Sequence, residues 1–125
     1  MNPKLSQKEV GLLKGALRRI FSRSLLRKQA IANYIIKPFT HPEHTRVTKW
    51  AYSGSCGIIL PAYKVQVDHI NPVVPIGTSV HSMTIDDLIS RIWCDISNLD
   101  VLCKPCHQDK SKAENKARRS LKGTI

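Results

Sequence analysis

The run Cys103-Lys104-Pro105-Cys106-His107 does most to restrict what this chain can become. It places two thiols and an imidazole at the start of a predicted helix that begins around Cys106 and continues through Lys116 or beyond. Taken alone, a C-x-x-C of this kind often ligates zinc for structure only. The chain has 125 residues, a one-domain length with little room for a second independent core. Its 42% hydrophobic content excludes a wholly disordered chain, and no apolar run approaches the roughly 18 residues a membrane span requires. The start, Met1-Asn2-Pro3-Lys4-Leu5, lacks the apolar stretch of a signal peptide, so a cytoplasmic location without membrane contact is expected. There, four cysteines read as metal ligands or buried thiols more readily than as disulfides.

The charge is large and uneven. The net +11 divides into +9 over residues 1–50, −3 over 51–100 and +5 over 101–125. Two basic arms flanking a less basic centre suit a reactive or metal-binding middle whose flanks grip a phosphate backbone, although charge blocks are also commonly solvated faces.

The N-terminal arm is helical by pattern. Ser6 and Glu9 form a capping box, and Val10, Leu13, Leu17 and Ile20 follow at helical spacing. A second stripe, Leu26, Ala30, Ile31, Tyr34 and Ile35, ends before Pro38. Arg18, Arg19, Arg23 and Arg27 crowd the polar surface as candidate DNA-backbone contacts, with a solvated helix pair as the plainer alternative. Residues 38–49, with His41 and His44, read as a linker. The runs Cys56–Leu60 and Lys64–His69 suggest a hairpin across Pro61-Ala62-Tyr63. Asn71–Gly77 must be loop because three breakers fall within seven residues. Thr84 then opens a helix with Ile85, Leu88, Ile89, Ile92 and Trp93 on its apolar face, stopping near Asp95.

Asp68-His69 at a predicted strand end, Asn98 before Leu99, and Cys103-x-x-Cys106-His107 at a helix start are each weak signals alone. In this order the stretches Val65-Gln66-Val67-Asp68-His69-Ile70-Asn71-Pro72 and Asn98-Leu99-Asp100-Val101-Leu102-Cys103-Lys104-Pro105-Cys106-His107-Gln108-Asp109-Lys110-Ser111 resemble the HNH endonuclease family, most nearly its small bacteriophage-type members. The resemblance covers roughly residues 50–115. It implies an α+β fold with a small ββα-metal (His-Me finger) core over 50–119; outside it the residue pattern leaves a basic helical extension over 1–37, a linker at 38–49 and a tail at 120–125. It also implies hydrolysis of phosphodiester bonds in double-stranded DNA, in host cytoplasm if the protein is phage-encoded.

Phosphodiester hydrolysis needs a positive ion on the phosphate oxygens and a base to deprotonate water. By the resemblance, Asp68 and His107 hold one divalent metal ion. A carboxylate and an imidazole accept Mg²⁺, Mn²⁺, Ni²⁺ or Zn²⁺, and availability favours Mg²⁺. His69 is the candidate general base, since its ordinary pKa near 6.5 leaves it substantially neutral in the cell. Neighbours on a regular strand face opposite ways, so Asp68 and His69 share a site only if the strand bends or ends there. Asn98 is expected to hold the catalytic loop by side-chain to backbone bonds, a role hardly distinct from an ordinary turn cap. Lys110, one turn beyond His107, is a candidate for phosphate contact, and Lys112 for the DNA backbone.

The chain departs from the family where relatives carry a first C-x-x-C. Here the segment reads Ser53-Gly54-Ser55-Cys56, so a structural zinc would have only Cys56, Cys103 and Cys106, with His41, His44 or water as a fourth ligand. Metal-free packing of these thiols is the alternative, and Cys94 beside Trp93 reads as a buried thiol. The rival readings of function are a non-catalytic DNA-binding module and an accessory subunit serving a phage assembly partner.

Overall fold

A computed structural model describes residues 5–37 and 39–123, so Met1–Lys4, Pro38 and the last two residues of the expected tail lie outside the described residues. The chain is mixed α+β, with helices α1 (Gln7–Phe21), α2 (Leu25–Ala32), α3 (Ile85–Ile92) and α4 (Lys104–Gly123). Two small antiparallel sheets join β1 (Trp50–Tyr52) to β2 (Ile59–Pro61), and β3 (Gln66–His69) to β4 (Leu99–Leu102).

Local chemistry sets the helix ends. Ser6 Oγ accepts the Glu9 N–H while Glu9 accepts the Ser6 N–H, forming the expected capping box of α1. Ser24 caps α2, and Thr84 with Asp87 forms a second box at α3. The α2 helix ends at Ala32, short of the expected stripe. Beyond it Ile35 pairs with Ala51, and the Ile36 N–H donates to Trp50 O, so this segment runs along β1 as an extra edge.

The expected hairpin between 56–60 and 64–69 does not form. Ser53–Gly57 makes the turn instead, with Gly57 at φ 75° and its N–H donated to Ser53 O, which folds Ile59–Pro61 back on Trp50–Tyr52. Ala62–Lys64 winds into a 3-10 turn, and Gln66–His69 pairs with Leu99–Leu102 some thirty residues on. Alternating hydrophobicity marks a strand without naming its partner.

The register places Val67 opposite Val101, Asp68 opposite Asp100 and His69 opposite Leu99. Two carboxylates opposed across a ladder repel, and each turns to its own donor. Asp100 Oδ1 accepts from Tyr34 Oη and Val101 N, both at 2.8 Å, while Asp68 faces α4. Burial and the Asp100 carboxylate push the Tyr34 phenol up to about 12.

Phe21 and Ala30 of the N-terminal helices are buried with Val73, Leu88, Ile92 and Leu99 in one core, and Ala51, Val65 and Val101 form a second. Val67 packs on both. Helices α1 and α2, within the 1–37 expected as an extension, therefore supply part of the core of the following segment. Ile20, expected on the apolar stripe, is 60% exposed, and Phe21 takes the inward position. Helix α4 begins at Lys104 and crosses the expected boundary at residue 119 without a break. No helix among the described residues is long and apolar enough to cross a membrane.

Candidate functional site

Strand β3 ends at His69, which meets the condition for adjacent residues to share a site. Asp68, His69 and His107 all line one cleft of about 950 Å³. His107 Nε2 lies 3.6 Å from Asp68 Oδ1. Two ligand atoms bound to one ion at about 2.0–2.2 Å are about 3.0–3.5 Å apart, so this pair needs to close by only a few tenths of an ångström.

Asp68 Oδ2 is buried and has no well-directed hydrogen bond. Lys110 Nζ is 2.7 Å from it, close enough for an ion pair but off the direction a hydrogen bond requires. Lys110 also donates to His69 O at 2.9 Å and to Glu114 Oε1 at 2.5 Å. Burial disfavours this ammonium, yet Asp68 and Glu114 outweigh the burial and hold its pKa above the ordinary lysine value. The charge expected to meet a phosphate is thus committed to the protein's own carboxylates. Asp68 Oδ1 beside the His107 imidazole nitrogen, on a carboxylate whose other oxygen Lys110 holds, is a carboxylate–imidazole donor set that fits a divalent cation.

His69 is oriented from two sides. Its Nε2 is 2.8 Å from Ile92 O, and its ring packs against Phe21 at 5.3 Å between centroids. A carbonyl only accepts, so Nε2 carries the proton and Nδ1 keeps the lone pair in the neutral ring. Asn98 bonds the loop after His69: Oδ1 accepts Asn71 N–H at 2.9 Å, Nδ2 donates to Asn71 O at 3.4 Å, and Asn98 O accepts Ile70 N–H at 2.8 Å. The loop after His69 is thereby tied to the entry of β4.

Two arginines that the sequence did not single out hold the same loop. Arg91 donates to Val73 O at 2.7 Å and to Pro72 O at 2.9 Å, and Arg118 donates to Val74 O at 2.6 Å. His107, Ser111, Glu114, Arg118 and Leu121 all line the cleft at alternating steps of four and three, the face of a helix. That spacing was the available signal for Glu114 and Arg118. From the N-terminal arm, Lys14, Arg18 and Arg27 reach the cleft, whereas Arg19, Arg23 and Lys112 are not among its lining residues.

A separate cluster gathers the thiols of Cys56, Cys103 and Cys106, whose sulfurs lie within 4.8 Å of one another and could bind a metal ion such as zinc. Cys56 and Cys103 Sγ are 3.7 Å apart, close to the roughly 3.8 Å of two sulfurs on a tetrahedral zinc with Zn–S near 2.3 Å. The Ile58 N–H, the Ser53 hydroxyl and the Cys106 thiol draw the Cys56 thiol down to about 7. Neither histidine offered as a fourth ligand joins this set. His41 stacks on Trp50 at 4.9 Å between centroids and meets the His44 ring at a tilt at 4.7 Å. Ser53, in place of the missing thiolate, is 1% exposed and accepts the Cys103 N–H at 3.1 Å. Cys94 is a half-buried thiol packed against the first core.

Comparisons with protein-family models, with curated proteins and with solved structures return no match for this chain.

Proposed function

We propose that this protein is a metal-dependent endonuclease of the HNH kind, with β3, β4 and α4 as its ββα-metal core, hydrolysing phosphodiester bonds of duplex DNA. The observation that carries this reading is the convergence of Asp68 Oδ1, His107 Nε2 and a His69 ring with Nδ1 as its lone-pair nitrogen in one cleft. Asp68 and His107 would hold one divalent ion, Mg²⁺ by availability, with the remaining positions left to water and substrate. Such an ion, when bound, supplies Lewis-acid stabilisation of the charge developing on the phosphate oxygens.

His69 Nδ1 takes a proton from water as the water oxygen bonds to phosphorus, and the opposite P–O ester bond breaks. The leaving oxygen is protonated by solvent, which leaves a phosphomonoester on one end and a hydroxyl on the other. The Ile92 carbonyl fixes the tautomer and ring orientation this step requires. Asn98 positions His69 through the loop hydrogen bonds to Asn71 and Ile70.

Nicking of supercoiled plasmid tests the reading. Activity with Mg²⁺ that EDTA abolishes and Asp68→Ala removes is the expected result. DNA binding without any cleavage across Mg²⁺, Mn²⁺, Ni²⁺ and Zn²⁺ would overturn it in favour of a non-catalytic DNA-binding or phage-assembly module.

A further inference from the structure

The cleft holding Asp68, His69 and His107 is also lined by Lys14 and Arg18 of α1, Arg27 of α2 and Arg118 of α4. Its two acids, Asp68 and Glu114, are both engaged by Lys110. Among the described residues, no ion pair neutralises the other four cations. Lys14 and Arg18 are one helical turn apart, so they project on the same side of α1. Arg118 is fixed in the cleft by its bonds to Val74 O and Pro75 O. Burial, then the charges of Arg18 and Arg118, lower the Lys14 pKa. Cations gathered against their mutual repulsion, without a protein carboxylate to share, form a site whose missing partner is an anion with several acceptor oxygens.

We infer that Lys14, Arg18 and Arg118 form a subsite for a second backbone phosphate of the polynucleotide whose neighbouring diester lies at Asp68 and His107. The position of the neighbouring diester rests on the hydrolytic reading above, while the subsite itself does not. The N-terminal helices then belong to the substrate site, and the substrate is a chain with at least two phosphates. A single small diester engages only half of the cleft.

The test is binding of a short fluorescein-labelled DNA duplex by the full chain in EDTA, followed by anisotropy between about 50 and 200 mM salt. The double variant Lys14→Ala/Arg18→Ala should bind at least about tenfold more weakly, and its slope of log affinity against log salt should fall by about 1, the value for one lost phosphate contact. The charge-matched variant Lys8→Ala/Lys28→Ala removes two exposed lysines outside the cleft and should stay within about twofold of wild type. Equal losses in both double variants, or no loss in either, overturn the subsite. So does duplex binding that ignores Lys14→Ala/Arg18→Ala while polyglutamate binding responds to it, since that places an acidic protein on this surface. Should the alanine pair lower the thermal midpoint, Lys14→Gln/Arg18→Gln decides by the same criteria. Plasmid nicking is scored separately: a pair-specific loss of binding without any nicking leaves the subsite standing and rejects only the hydrolytic reading.

Discussion

His69 Nε2 sits 2.8 Å from the carbonyl oxygen of Ile92, so the end of β3 is tied to the last turn of α3 and the ring is locked in one tautomer. If Nδ1 is the base, His69→Ala should lower cleavage by about two to four orders of magnitude while leaving the Asp68–His107 pair able to bind metal. Plasmid nicking together with Mn²⁺ titration checks this. Near-wild-type nicking by the variant would remove His69 from the reaction.

Lys110 is the only cation paired with Asp68 Oδ2 among the described residues. Lys110→Met keeps the aliphatic stem and deletes the charge, leaving that buried carboxylate oxygen without its counter-charge. The variant should lose about 1–3 kcal/mol of stability. Mn²⁺ should then raise its thermal midpoint by more than it raises that of wild type, because a cation that binds the native state offsets the loss. Equal Mn²⁺ effects on the two proteins would count against a cation site at Asp68.

The thiol cluster lacks one ligand. Ser53 Oγ accepts the Cys103 N–H, and a neutral hydroxyl is a poor zinc ligand compared with thiolate. Ser53→Cys should raise zinc content per chain and the thermal midpoint, and a strong chelator should take away both gains. A wild-type protein that already holds one chelator-resistant zinc, with neither quantity changed by Ser53→Cys, would show that another group completes the site.

Two glycines should respond with opposite sign. A Cβ on Gly54 would stand 2.0 Å from Asp100 Oδ1, so Gly54→Ala should cost about 1–3 kcal/mol and loosen the Tyr34–Asp100 bond. Gly11, inside α1, has nothing within 4 Å of its would-be Cβ, so Gly11→Ala should stabilise by about 0.5–1 kcal/mol. Urea denaturation of both variants measures the pair. A neutral Gly54→Ala would mean that the Asp100 carboxylate moves aside freely.

What the sequence determined by itself is local. The box at Ser6/Glu9 closes within three residues, Thr84 caps the helix that it opens, and the breakers of Asn71–Gly77 act on their own backbone, so no distant partner was needed to read them. Asp68, His69 and His107, singled out by their order in the chain, line one cleft, while Asn98 bonds the loop beside it without lining it. Tertiary structure decided the pairings. That Gln66–His69 takes Leu99–Leu102 rather than the neighbouring run depends on which buried faces match across thirty residues, a property of the whole core. Lys14 and Arg118 look like ordinary surface cations in sequence, and only the packing brings them, from α1 and α4, to the same cleft. His41 and His44, suited to ligate by residue type, lie against Trp50 instead, because a ligand needs position as well as a lone pair.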